Sequence, residues 1–175
     1  MTGLKSITDQ DMNRSNGSRK TDNNSLNNTV TIRPMSVWDL EDVLKIEKEC
    51  YMEPWLREHF LYELQISRIS KSIVLEIGGK TGGYVGLWLL HPEIHITNMT
   101  VSKEFRKQGL GTKLMEYVMN LALESKFKVI TLEVRHNNEA ALALYRKFGF
   151  EIRGIRKNYY AAEKADALIM SCTMR

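Results

Sequence analysis

Arg106-Lys107-Gln108-Gly109-Leu110-Gly111 lies between a β-like apolar run, Ile94 to Val101, and an apolar helical run that begins at Thr112. A basic, glycine-containing turn from a strand into a helix is a phosphate cradle. The first turn of a helix offers backbone N–H groups with no partner and the positive end of the macrodipole. Gly109 and Gly111 let the chain turn tightly and let an anion approach without a Cβ in the way. A capped, solvated turn would have the same composition, so the residues on either side decide.

The periodicity of the flanking chain predicts the elements. Thr29 to Arg33 reads as a strand ended by Pro34. Ser36 caps a helix with apolar positions at Val37, Leu40, Val43, Leu44 and Ile46, and a second helix covers Arg57 to Ile66. Ser72 to Ile77 and Tyr84 to Leu90 form a hairpin around the turn Gly78-Gly79-Lys80-Thr81-Gly82-Gly83. Ile94 to Val101 is the next strand, followed by a helix from Thr112 to Glu124 and a strand from Lys128 to Val134. A helix over Glu139 to Lys147 and two strands, Phe150 to Tyr159 and Ala167 to Met174, end the chain. The order β-α-α-β-β-β-α-β-α-β-β is that of an α/β domain with a mixed sheet. The strands before and after the Thr112 helix must run parallel, because a helix crosses between them.

The 175 residues suit one domain, residues 29–175, behind a polar segment, residues 1–28, expected to be a disordered tail. A hydrophobic content of 43% and a charged content of 26% are ordinary for a globular chain. The net charge of +4 suits an anionic small molecule and is too small to argue for direct binding of nucleic acid. No stretch approaches the ~20 apolar residues of a membrane helix, and no secretory signal opens the chain. Cys50 and Cys172 stand far apart and read as reduced thiols, which with the missing signal points to the cytoplasm. His91 and His95 flank Pro92-Glu93, too few ligands for a metal, so no metal site is expected.

Two nucleotide motifs are excluded. Thr112-Lys113 after Gly111 is the reverse of the P-loop order, and no Gly-x-Gly-x-x-Gly follows a strand. Lys107 to Thr112 instead resembles the acyl-CoA signature of the GNAT acetyltransferases. Asn138-Glu139-Ala140-Ala141-Leu142-Ala143-Leu144-Tyr145 resembles the Asn-x-x-Ala-x-x-x-Tyr element of the same family, and Lys147-Phe148-Gly149-Phe150 follows it. Leu132-Glu133-Val134-Arg135, Arg156-Lys157-Asn158-Tyr159-Tyr160 and Asp166-Ala167-Leu168-Ile169-Met170 extend the likeness to the RimI-type ribosomal-protein-alanine N-acetyltransferases. Those are bacterial enzymes that acetylate a protein N-terminus. The likeness covers residues 29–175. It departs at Ala161, where the family usually has proline after Asn-Tyr-Tyr, which would leave the following loop freer.

The resemblance implies a GNAT fold: a central, mixed, mostly antiparallel sheet of about seven strands flanked by about four helices. It implies acetyl-CoA as cosubstrate, held by the strand edge Met99, Thr100 and Val101, by the amides of Gln108, Gly109, Leu110, Gly111 and Thr112, by the charges of Arg106 and Lys107, and by Asn138. Plain sheet pairing for the first three and a helix cap for Asn138 are the alternative readings. Tyr145 would be the general acid for the departing thiolate, and Glu133 the general base, acting directly or through water. A core tyrosine and a solvent-facing strand glutamate are their alternatives. Pro54, Trp55, Asn158, Tyr159 and Tyr160 would contact the acceptor.

The acceptor implied is a protein N-terminus, that of a ribosomal protein, met by a monomer or weak homodimer. Small amines and a non-catalytic acyl-CoA-binding module are the competing readings. Proton chemistry favours the first. An α-amine of pKa about 7.7–8.0 is roughly one-fifth neutral near pH 7.2, whereas a lysine is neutral in fewer than about one molecule per thousand, a gap of about 3 kcal/mol.

Overall fold

A computed structural model describes residues 29–175, so the polar segment 1–28 lies outside the described residues. The elements follow in the predicted order: β1 (Val30–Pro34), α1 (Leu40–Cys50), α2 (Arg57–Gln65), β2 (Ser70–Ile77), β3 (Lys80–Leu90), β4 (Glu93–Val101), α3 (Leu110–Glu124), β5 (Val129–Arg135), α4 (Glu139–Lys147), β6 (Glu151–Tyr160) and β7 (Ala165–Thr173). The seven strands form one sheet in the order β1-β2-β3-β4-β5-β7-β6. Every neighbouring pair is antiparallel except β4 and β5, which are joined by the α3 crossover and run parallel as expected.

Two expectations need correction. The hairpin turn is only Gly78-Gly79, with φ of +55° and +84°, the left-handed pair that a two-residue turn uses. Gly82 and Gly83 lie inside β3. A Cβ on Gly82 would stand 2.6 Å from Ile77 Cδ1, and one on Gly83 2.7 Å from the Thr100 carbonyl oxygen. These glycines serve close packing within the sheet, not a bend. The second correction is the start of α3, which begins at Leu110 rather than Thr112, with Gly109 as N-cap at φ +77°.

The sheet buries apolar side chains on both faces. On one face Ile73, Leu75, Val85, Leu87, Ile94, Ile96, Ile130 and Leu132 pack with Leu114, Met115 and Val118 of α3 and with Leu142 and Tyr145 of α4. On the other, Val74 and Tyr84 pack with Leu40, Val43 and Ile46 of α1 and Phe60 of α2. The alternation of Glu93, Ile94, His95 and Ile96 on β4, and of Ile130 to Glu133 on β5, sends the polar members to this second face. Arg33 secures the entry to α1, donating to Asp39 at 2.8 and 2.9 Å and to Glu76 at 2.9 and 3.0 Å. That contact holds the Asp39 carboxyl down at about 2.

The pairing of β4 with β5 stops early. It runs from Glu93↔Val129 to Ile96↔Leu132, although β4 continues to Val101 and β5 to Arg135. The cause lies on the other side of β4. Gly86 of β3 faces Asn98 and Leu87 faces Ile96, so Thr97 is an extra residue, a bulge that bends β4 away. Gly86 makes the room: a Cβ there would stand 2.6 Å from Thr97 Oγ1. Gly86→Ala is therefore expected to cost about 1–3 kcal/mol of overpacking. The double variant Gly86→Ala/Thr97→Ala, which removes the clashing oxygen, is expected to recover most of it in urea unfolding.

Candidate active site

Where β4 and β5 part, a cavity of about 650 Å³ opens on the face that α1 and α2 leave uncovered beyond β3. Its floor is Glu93, His95, Glu133 and Arg135, and Met99 lines it from the apolar face at the fork. Tyr51, Glu53 and Trp55 from the α1–α2 junction form one wall, and Arg156, Tyr159, Tyr160 and Glu163 of the β6–β7 hairpin form the other. Asn138, Ala141 and Tyr145 reach it through the fork. Among the described residues, β4 has no strand partner on its β5 side from Thr97 onward. The Ser102 N–H points at β3, bonding Gly82 O at 3.0 Å, so the Val101 carbonyl points the opposite way, to this free edge.

The basic glycine turn stands outside the cavity lining, exposed at the start of α3. The first bond back to the N-cap is Lys113 N–H to Gly109 O at 3.2 Å, so the amides of Leu110, Gly111 and Thr112 have no helical acceptor. Leu110 itself points its side chain into the core. Lys107 takes φ +62° and is exposed. Arg106 turns away from the amides: its Nε donates to Val101 O at 3.1 Å and its Nη2 to Cys50 Sγ at 3.1 Å. Burial pushes the Cys50 thiol up from its ordinary value, with Arg106 opposing, and so disfavours the reactive thiolate.

Asn138 caps α4, its Oδ1 accepting from Ala141 N–H at 3.2 Å, and lines the cavity at the same time. Tyr145 lies 6% exposed with its ring 5.7 Å from Phe150. Burial, then Tyr51 and Tyr160, push its hydroxyl well above the ordinary phenol range, which keeps the proton on it. The Glu133 carboxylate meets His95 Nε2 at 3.1 Å through Oε2 and Arg156 Nη2 at 3.3 Å through Oε1. Thr100 is buried, its hydroxyl is spent on Tyr51 Oη and its carbonyl faces Gly83 of β3, so the free edge is made by the backbone of its neighbours Met99 and Val101.

Of the expected acceptor contacts, Trp55, Tyr159 and Tyr160 line the cavity. Pro54 and Asn158 do not. Asn158 sits at φ +54° in the irregular part of β6, its N–H bonded to Asp166 Oδ1 at 2.9 Å, shaping the hairpin rather than facing inward. Pro54 stands between two lining neighbours, Glu53 and Trp55. The turn at Ala161 is held despite the missing proline. Glu163 is ion-paired with Arg135 Nε, a contact without the alignment of a hydrogen bond. The Arg135 guanidinium also lies 4.6 Å from the centre of the Tyr160 ring, and burial pushes that hydroxyl up to about 12.

Several lining residues escape a reading of motifs. His95, Glu93, Arg135 and Arg156 come together only through strand register, which no local pattern reveals. Glu47 carried a signal: it lies four residues after Val43 and seven after Leu40, on the apolar face of α1. It is 1% exposed, accepts from Tyr84 Oη and takes the Trp55 N–H at 2.7 Å. Burial raises its carboxyl, and these two donors oppose the rise.

An open strand edge leading from a helix N-terminus to a buried tyrosine and an ion-paired glutamate suits a long anionic thioester and an amine. Residues 40–150 match the model of the acetyltransferase (GNAT) family. The chain belongs to this family. It is 37% identical over 145 residues to a putative ribosomal protein bS18-alanine N-acetyltransferase of Bacillus subtilis, covering 83% of this chain and 96% of the relative. The N-alpha-acetyltransferase RimI of Mycobacterium tuberculosis is 31% identical over 147 residues, 81% of this chain and 90% of the relative. The solved ribosomal-protein-S18-alanine N-acetyltransferase of Escherichia coli superposes with a TM-score of 0.77 at 28% identity, covering 83% of this chain and 94% of that one. The protein is thus an N-acetyltransferase of the GNAT fold, and enzymes of this family use acetyl-CoA.

Glu47 sets a pH test of the wall it supports. Its folded value lies above the unfolded one, so its contribution is full below about 4.5 and is lost as pH rises through the raised value. Glu47→Gln is expected to gain on the wild type as pH rises from 5 to 8, read as the difference between their urea-unfolding free energies.

Proposed function

We propose that this protein moves the acetyl group of acetyl-CoA to the α-amine at a protein N-terminus, with a ribosomal protein as acceptor. The observation that carries the reading is the fork. It sets Tyr145 and the free edge at Met99 on one side of a cavity and Glu133 on the other. The names of the relatives support the acceptor class.

The residues fit the cosubstrate. The amides of Gln108 to Thr112, with Lys107, would bind its pyrophosphate. The β5-facing backbone of Met99 and Val101 would pair with the pantetheine arm, whereas Thr100 between them turns its carbonyl to β3. Arg106 would then act by closing the far end of that edge at Val101, not on the phosphates. Asn138, with Oδ1 spent on the cap, would offer its amide hydrogens. The donor supplies an activated acyl carbon, and the chain's own residues supply the rest. Glu133 takes a proton from the incoming amine, directly or through a water. The amine nitrogen bonds to the acyl carbon, the carbon–sulfur bond breaks, and Tyr145 hands its proton to the sulfur. Trp55, Tyr159 and Tyr160 frame the peptide. A cytoplasmic monomer or weak homodimer without a metal goes with this reading.

One observation favours a second acceptor class. Five glutamates line the cavity, Glu47, Glu53, Glu93, Glu133 and Glu163, against Arg135 and Arg156, each ion-paired to one of them. An acidic lining also suits a polyamine. Mass spectrometry with peptides of different first residues beside free polyamines separates the two. A single acetyl group on the α-amine is the expected product, and acetylated polyamine alone overturns the proposal.

Two variants test the roles. Tyr145→Phe is expected to lower kcat at least about tenfold with CoA affinity unchanged. Equal loss in both would mean that the hydroxyl only organises the site. Gly109→Ala forces a Cβ onto φ +77°, a strain of about 1–2 kcal/mol, in open space. Calorimetry is expected to show CoA affinity down about fivefold or more with the fold retained, and unchanged affinity would remove the turn from the binding site.

A further inference from the structure

Four side chains on two parallel strands form one row across the cavity floor. In the register of β4 and β5, Glu93 faces Val129 and His95 faces Thr131. Residues two apart share a face, so Glu93, Thr131, His95 and Glu133 alternate between the strands on the same side of the sheet. They are bonded in that order. Thr131 Oγ1 donates to Glu93 Oε1, His95 Nδ1 stands 2.9 Å from Thr131 Oγ1, and His95 Nε2 stands 3.1 Å from Glu133 Oε2. A hydroxyl has one hydrogen. Thr131 spends it on Glu93, so Thr131 accepts at its contact with His95, and Nδ1 is the donor there. Nε2, facing a carboxylate oxygen, donates to Glu133 in the imidazolium form of the ring, the form that carries a hydrogen on each nitrogen. The ring is thereby held from both ends, and the Trp88 ring flanks it at 5.8 Å.

We propose that His95, braced by Thr131 and Glu93, is the positioning residue that holds the Glu133 carboxylate toward the acceptor amine, an inference that rests on Glu133 being the base. Glu133 needs such a hold. It is the first residue of β5 beyond the last pair, Ile96↔Leu132, so its backbone no longer has β4 beside it. Its other partner, Arg156, belongs to the edge strand β6 and is 52% exposed, whereas the His95 side chain is 21% exposed on a central strand. The link from His95 also ties β5 to β4 at the point of parting. A base oriented by one group, itself oriented by a third, is the general logic of activated sites.

The test is steady-state kinetics with acetyl-CoA and an N-terminal peptide that the wild type acetylates. His95→Leu is expected to lower kcat about 10- to 100-fold, the scale of a misplaced catalytic group, with KM for acetyl-CoA within about twofold. His95→Gln, which returns a donor near Nε2, is expected to recover to within about fivefold of the wild type. Thr131→Val, nearly isosteric, is expected to lower kcat about 3- to 10-fold and to shift the His95 ring ¹⁵N resonances. Added to His95→Leu it is expected to change nothing, because groups acting in series are not additive. Three outcomes would each overturn the inference: a His95→Leu kcat within twofold of wild type, a loss confined to KM for acetyl-CoA, or a Thr131→Val effect that multiplies that of His95→Leu. Glu133→Gln in the same assay separates the levels. If it is slow while His95→Leu is fast, only this inference falls; if it keeps the wild-type rate, the reading of Glu133 as base falls and takes this inference with it.

Discussion

Everything specific to the site depends on two strands ceasing to pair. A parallel pair that continued to Val101 and Arg135 would satisfy its own backbone and leave no opening in the sheet. The extra residue at Thr97, accommodated because Gly86 has no Cβ, bends β4 off its neighbour after Ile96. The separation exposes unpaired backbone on β4, which is affordable only where water or a ligand meets it. It also lets Tyr145, packed under the sheet by α4, reach the same space as Glu133 on the opposite face.

The two sheet faces divide the work. Beneath the fork, α3 and α4 cover an apolar layer that holds the strands in register. Above it, α1 and α2 cover only the β2–β3 part, through Val74 and Tyr84. Glu93, His95, Thr131 and Glu133 therefore lie on a stretch of sheet with no helix over it, which is why polar side chains are tolerated there. The walls are then built by charge and aromatic contact rather than by burial. Glu47 ties Trp55 and Tyr84 together from below, while Arg135 engages Tyr160 and Glu163.

The order of elements was legible because each carries its own period, and the crossover helix made β4 and β5 parallel by necessity. The glycine turn at the start of α3 and the helix that carries Tyr145 were legible because each sits in a contiguous motif. Gly82 and Gly83 misled because a glycine run looks the same whether it makes a turn or admits a neighbour. Only the closeness of Ile77 and Thr100 tells them apart. The β4–β5 register is set by packing between distant segments, so the approach of His95 and Arg156 to Glu133 was not legible. Asn158 was read as a contact on its motif alone; its positive φ turns it to a role in the shape of the hairpin.

The two groups proposed to handle protons, Tyr145 and Glu133, sit in different surroundings. Tyr145 is buried away from charge, which holds its hydroxyl protonated. Glu133 is 12% exposed and is placed by two nitrogen contacts, from His95 and Arg156. An acceptor already about one-fifth neutral near pH 7.2 asks little of such a base beyond correct placement. A lysine side chain would ask about 3 kcal/mol more. An α-amine therefore fits a site whose glutamate is fixed in place by its neighbours on β4 and β6.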